Sequence, residues 1–409
     1  MGRRWGGSEL SSKGELLVLG IEFDVLDRIR KLGYKTVLIN DECPADVEKY
    51  QLLSGSDSRD HRYDVEDFKG LISAGLKGII VCSEDYVNLG AEICERFAPQ
   101  LKGLSTSQAK IVRDKWLLKK TLGDLKIPTT KVLQVNSASS YFDISKQLGQ
   151  SFLMKPRRGW LAQGMELIVS PGDWQKWLNR NIENLDDFIA EEFLKNITEY
   201  CCDTVVVNGR IYAQFPGEYS VSCLESSQSH EGIGVNFPGF LPTGKIEEMK
   251  QYTKTFIEKL GIQNAYCHTE FLFDGNGWHF GEMGCRLPGG YQLPTESYIA
   301  GTNLMDTYLK IFTQSESVPD GPIETEGRYY GYYLFPKKAG VVKKVRVEFE
   351  HPWIVESKVY VREGQVLEHE DSSVSMSAHV VYSAKSLDEL KELAGRVKNL
   401  CSVEIGLVD

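Results

Sequence analysis

Residues 265–286 read Ala265-Tyr-Cys-His268-Thr-Glu270-Phe-Leu-Phe-Asp274-Gly-Asn-Gly277-Trp-His-Phe-Gly-Glu282-Met-Gly284-Cys-Arg286, and the fold is decided there. Two β-rich runs enclose the turn Asp274-Gly-Asn-Gly277, which marks a hairpin. With a loop at residues 275–277, Glu270 stands opposite Glu282, and both carboxylates share the face that carries Leu272 and Phe280. Two carboxylates held together on a largely apolar face repel unless a cation lies between them, so the pair reads as a divalent-metal site. Oxygen donors suit magnesium, which binds through one or two carboxylates together with substrate phosphates. Two solvated acids on an edge hairpin are the competing reading of the same spacing.

Arg286 follows Glu282 by four positions and leads into Leu287-Pro-Gly289-Gly290. A guanidinium beside metal-bound phosphate stabilises charge in phosphoryl transfer, and the glycines permit close backbone approach to a substrate. Taken alone, the arginine is more often a surface ion pair. Upstream, residues 151–156 form a short apolar strand ending in Lys155-Pro156. The ammonium of Lys155 reaches either a phosphate or, by simple snorkelling, only water. The loop Arg157-Arg158-Gly-Trp-Leu-Ala-Gln-Gly164 and a strand over 165–169 follow, and a strand over 188–190 runs into Glu191-Glu192-Phe193-Leu194. Exposed linker backbone there offers an acceptor and a donor to the edge of a planar base. His230 and His268 are candidate substrate contacts, with core or surface positions as the alternative. No Ser/His/Asp or Cys/His constellation has a local signature, so nucleophilic hydrolysis has little support.

The chain has 409 residues, 42% of them hydrophobic, enough for a large core in roughly two to four structural units. A formal net charge of -10, with no concentrated basic patch, argues against nucleic acid or an anionic membrane surface as main partner. No apolar run approaches the roughly 20 residues that span a bilayer, so a cytoplasmic protein is expected. Nine cysteines without C-x-x-C spacing read as reduced thiols rather than a zinc site.

Around the hairpin, the N-terminal part reads strand (from Glu15), helix (23–32), Gly33 as stop, strand (36–40): a βαβ unit. A buried strand over 78–82 and a helix over 88–97 continue it. No G-x-G-x-x-G follows the first strand, so a dinucleotide site of that kind is excluded. A helix over 107–125 ends before Ile127-Pro128. Hairpins over 203–215, turning at Asn208-Gly209, and over 265–283 flank a helix over 246–260. From Tyr329 the chain is strand-rich, with one late helix near 387–398.

Each motif is modest alone, but their order over residues 15–400 resembles the ATP-grasp superfamily. Within it, the chain looks most like the carboxylate-amine ligases of the L-amino-acid ligase and carnosine synthase type, and more distantly like biotin carboxylase and D-alanine:D-alanine ligase. Ser83-Glu84-Asp85-Tyr86-Val87, Gly103-Leu104-Ser105 and Arg113-Asp114-Lys115-Trp116 are similar to that group's N-terminal domain and the helix after it. The resemblance implies an α/β fold, ATP-grasp with a Rossmann-like N-terminal domain, a two-lobed central grasp and a small β-rich C-terminal subdomain. The expected divisions are a disordered leader (1–14), the Rossmann-like domain (15–104), a connecting helical region (105–135), the lid lobe (136–195), the large lobe (196–326) and the C-terminal subdomain (327–409).

The resemblance further implies Lys115 and Lys155 on the ATP phosphates, and a flap over residues 157–164 that brings Arg158 and Gly164 to the nucleotide. Glu191, Glu192, Phe193 and Leu194 become the adenine hinge and Glu199 the ribose carboxylate. Glu270 and Glu282 hold magnesium, and Arg286, with Lys155, acts in catalysis. Glu84, His230, His268, Arg286, Gly289 and Gly290 line the substrate pocket. The implied reaction joins a small carboxylate, an amino acid in this group, to an amine through an acyl phosphate, with release of ADP and phosphate. Transfer to a carrier-protein thiol and a non-catalytic ATP-binding regulator are the alternatives, and a homodimer is the default assembly. Two departures stand out: Gly284 where family members carry asparagine in E-x-N-x-R, and a flap with Arg157, Arg158, Trp160 and Gln163 in place of several glycines and a small hydroxyl residue.

Overall fold

The computed structural model describes residues 13–20, 23–39, 51–53, 65–69, 76–101, 103–159, 163–229, 231–313, 322–325, 327–368 and 376–406. The expected leader falls almost wholly outside these residues, as do His230 and Trp160.

The first apolar run forms the strand Glu15–Leu19, and the amphipathic segment after it forms the helix Phe23–Lys31. Gly33, at a φ of +85°, turns the chain into the parallel strand Lys35–Ile39. With Leu76–Val81 and Gln51–Leu53 these make a four-stranded parallel sheet in the order 51–53, 35–39, 15–19, 76–81. Leu16, Val18, Leu38 and Ile80 pack into a core that also holds Phe215, Val235 and Tyr332, so this sheet is welded to the main sheet.

The expected single helix over 107–125 is two helices, Thr106–Arg113 and Lys115–Asp124. Ser105 and Gln108 close a capping box on the first. Asp114, in extended conformation, ends that helix and caps the second by accepting from the amides of Trp116 and Leu117. The break sets Lys115 at a helix start, where it turns toward the hairpin.

A small antiparallel sheet follows in the order Val132–Gln134, Phe188–Glu192, Phe152–Pro156, Glu166–Ile168. Two helices, Tyr141–Leu148 and Pro171–Asn181, cover it through Phe152, Met154, Trp174 and Trp177. The sequence reading ends the last of these strands in chain order at Ala190, but pairing continues on both sides to Glu191. Glu191 is therefore a buried strand residue and not exposed linker.

The main sheet has eight strands in the order 278–284, 265–273, 198–207, 210–219, 233–237, 329–336, 376–384, 354–359. Its neighbours are antiparallel throughout. The helix Thr243–Leu260 buries Met249, Phe256 and Ile257 against one face, and Gly261 in left-handed conformation ends it. Near the C-terminus the helix Leu387–Val397 packs on Tyr333, Val380 and Tyr382. A three-stranded sheet of Val366–Leu367, Gly340–Val347 and Cys401–Gly406 closes the chain. Among the described residues, no helix is long and apolar enough to cross a membrane.

Candidate active site

A cavity of about 690 Å³ opens between the small antiparallel sheet and the main sheet. Its wall carries Lys115, Lys155, Glu199, Glu270, Glu282 and Arg286, which come from sequence positions up to 171 residues apart.

Glu270 does pair with Glu282, by a different route from the one the spacing suggests. The turn is one residue longer, with Phe273 opposite Trp278, and a register shift between Glu270 and Phe271 restores the offset. Gly281 is the extra residue, and a Cβ there would lie 3.0 Å from the carbonyl oxygen of Glu270. This bulge corrects one expectation: Phe280 does not share the carboxylate face. It packs at zero exposure with Phe256 and Phe271, while Leu272 lines the cavity. The carbonyl of Phe280 accepts from Lys119 (2.9 Å) and Thr129 (2.8 Å), which fastens the hairpin to the helix Lys115–Asp124 and to the connection that follows it.

On the side of the small antiparallel sheet, Glu191 is 2% exposed and lies between two lysines: Lys155 Nζ at 2.9 Å and Lys119 Nζ at 3.3 Å. The hydroxyl of Thr130 also donates to it. Burial alone would raise the Glu191 pKa, but Lys119, Lys155 and the hydrogen bonds outweigh it and hold the carboxyl below its ordinary range. Burial pushes Lys119 down, helped by neighbouring Lys155. For Lys155 the carboxylates of Glu191 and Glu282 overcome burial and push it up. The flap arginines are not in the cavity wall. Arg157 donates to the Asp114 carboxylate at 2.7 and 3.1 Å, and the side chain of Arg158 is 68% exposed.

On the hairpin side, Lys115 Nζ lies 3.0 Å from Glu282 and donates to the carbonyl of Gly159 at 3.2 Å. His268 is held between Asp203 (2.5 Å) and Glu270 (3.4 Å). Burial disfavours the imidazolium, but the two carboxylates dominate and raise His268 to about 10. Glu270 is correspondingly lowered, as His268, Lys115 and Arg286 outweigh its burial. Glu199 is raised to about 7, first by burial and then by the charge of Glu270. A carboxylate oxygen of Glu199, one of Glu270 and the sulfur of Cys223 lie within 4.8 Å of one another. Arg286 pairs with Glu84 at 3.0 Å.

Of the residues singled out from sequence, Lys115, Lys155, Glu191, Glu192, Phe193, Leu194, Glu199, Glu270, Glu282, Arg286, Glu84, His268, Gly289 and Gly290 all line this one cavity. Arg158 and Gly164 do not, and His230 lies outside the described residues. Lys119, Arg113, Asp203 and Cys223 were missed. Lys119 stands one helical turn after Lys115, a spacing visible in the sequence. Asp203 is an acid inside the apolar run 200–207, and a buried charge in such a run demands a partner.

No family model matches the chain. In sequence it is 21% identical over 310 residues to the carbamoyl phosphate synthase large chain of Clostridium acetobutylicum. That match covers 72% of this chain and 28% of the other, so the chain spans less than a third of the curated relative's length. In structure, the L-amino acid ligase from Bacillus licheniformis superposes with a TM-score of 0.75 at 16% identity, covering 97% of this chain and 100% of that one. The biotin carboxylase domain of the Hydrogenobacter thermophilus 2-oxoglutarate carboxylase, a dimer in complex with MgADP, ADP and bicarbonate, gives 0.72 at 15% identity, covering 97% and 92%. The chain has the ATP-grasp fold these proteins share.

Proposed function

We propose that this ATP-grasp chain is a Mg-ATP-dependent ligase that activates a small carboxylate, an amino acid in our reading, as an acyl phosphate and passes it to an amine. The observation that carries the reading is the pairing of Glu270 with Glu282 beside Lys115, Lys155 and Arg286 in one cavity.

The donor set fits magnesium. Glu270 and Glu282 offer hard oxygen ligands side by side, and Glu199, raised first by burial and then by the charge of Glu270, adds a third carboxylate that a divalent cation beside it would favour in charged form. When bound, magnesium would neutralise phosphate charge and lower the barrier to attack at phosphorus. The rest is the work of the chain. Lys115 and Lys155 bind phosphate oxygens, and the backbone of residues 192–194 takes the base. Arg286 orients the γ-phosphoryl group and the substrate carboxylate and offsets the charge that develops between them. A carboxylate oxygen attacks the γ-phosphorus, the bond to the ADP oxygen breaks, and a mixed anhydride forms. The amine nitrogen then attacks the acyl carbon, phosphate leaves, and the nitrogen gives up a proton to water. The lid sheet excludes bulk water that would hydrolyse the anhydride.

The test is ADP release with magnesium across amino acids singly and in pairs, with mass spectrometry of products. Turnover that needs two amino acids and yields an amide is expected. Turnover with one acid and no amide would shift the acceptor to a carrier thiol, and nucleotide binding without turnover under any pairing would overturn the enzyme reading.

A further inference from the structure

Gly284 ends the strand Trp278–Gly284 with no positive φ, so backbone conformation does not call for glycine there. Space does. A Cβ at 284 would overlap Oε1 of Glu84, a residue from the short turn Glu84–Tyr86 after the N-terminal sheet. The carboxylate that fills this volume is 6% exposed and held at both oxygens. Oε2 accepts from Nη1 of Arg113 at 2.8 Å, and Oε1 pairs with Nε of Arg286 at 3.0 Å. Arg113 is itself buried, and its only other described acidic neighbour is Asp85 at 3.9 Å. Arg286 also donates a hydrogen bond from Nη1 to the carbonyl of Leu287, at 2.6 Å, so that an ion pair at Nε and a hydrogen bond at Nη1 hold it.

A guanidinium tied at Nε and at Nη1 is fixed in plane and direction, whereas a free arginine samples many rotamers. A carboxylate paired with two guanidiniums, hydrogen-bonded to one of them, is also poorly available to a substrate ammonium or a metal ion. We infer that Glu84 is a positioning residue for Arg286, anchored by Arg113, and that position 284 is glycine so that this carboxylate can enter the hairpin. The effect on turnover rests on the phosphoryl-transfer reading above; the spatial coupling of 84 with 284 does not.

The experiment is a double-mutant cycle of Glu84→Ala and Gly284→Ala, with Glu84→Gln beside it, read by urea unfolding, by ADP-release kinetics and by the Nε–H NMR signal of Arg286. Glu84→Gln should lower kcat at least ten-fold, leave KM for Mg-ATP within two-fold and release the Arg286 Nε–H to fast exchange. Gly284→Ala should be harmful in the wild-type background and nearly neutral when Glu84 is alanine. Additive urea midpoints, or an Arg286 signal unchanged in Glu84→Gln, would overturn the proposal even if the chain turned over no acid at all. An unchanged kcat in Glu84→Gln alongside active wild type would overturn it as well.

Discussion

The two walls of the cavity hold charge differently. On the lid wall, two lysines share one deeply buried carboxylate, Glu191, and the cluster carries an excess of positive charge. On the hairpin wall three carboxylates, Glu199, Glu270 and Glu282, converge with Lys115, His268 and Arg286 around them, and the Glu282 side chain is 37% exposed. The first wall suits phosphate oxygens and the second a divalent cation, so a metal-nucleotide complex satisfies both at once. The contrast also separates framework from chemistry. Lys119 is bonded to Glu191, Thr130 and the Phe280 carbonyl and does not line the cavity, whereas Lys155 does.

Substitutions should divide along that line. The largest effect is expected on the hairpin: Glu282→Ala should lower ADP release by at least about 10²–10³-fold with little change in urea midpoint, since in the proposed reaction it removes a carboxylate that holds the charge-balancing cation in the transition state. Undiminished turnover would break the assignment. On the lid wall, Glu191→Gln should cost about 3–5 kcal/mol in urea unfolding, because it leaves two buried lysines without their counter-charge. Its pH dependence has a definite sign. The Glu191 pKa is depressed in the folded state, so its contribution is fully present above the ordinary value of 4.5 and is lost as pH falls below it. Acid unfolding of Glu191→Gln should therefore be flatter than wild type below about pH 4.5.

Smaller effects sharpen the comparison. Lys119→Met should lower stability by about 1–3 kcal/mol with nucleotide affinity nearly kept, while Lys155→Met should weaken Mg-ATP binding, measured by calorimetry. Equal losses of affinity would abolish the distinction between the two lysines. Gly281→Ala should cost about 1 kcal/mol and reduce turnover, since its Cβ presses on the strand that carries Glu270. Arg180→Ala, which breaks an exposed pair with Glu166, should change stability by less than about 0.5 kcal/mol and leave turnover intact.

The hairpin, the βαβ unit and the lid strands were legible in sequence because period and turn residues report local structure directly. What escaped was set by contacts distant in the chain. Asp114, at the break between the two helices, also accepts from Arg157, which lies 43 residues on. Glu191 looks like linker until the strands on both sides of it are known. The bulge at Gly281 illustrates the same point, since spacing predicted the Glu270–Glu282 pair but placed Phe280 on the wrong face. Gly284 stands out in sequence only as a departure from E-x-N-x-R, and that a Cβ there would overlap Glu84, 200 residues away, is visible only in the structure.

Transfer of oxygen from substrate to phosphate tests the ligase reading most directly. The amino acid that most stimulates ADP release would be labelled with ¹⁸O in its carboxylate and incubated with ATP, magnesium and the amine partner, and the inorganic phosphate analysed by mass spectrometry. Activation as an acyl phosphate predicts one ¹⁸O in each phosphate released with product, carried over when the anhydride is cleaved by the amine. Phosphate free of label, formed at the same rate as amide, would contradict the account.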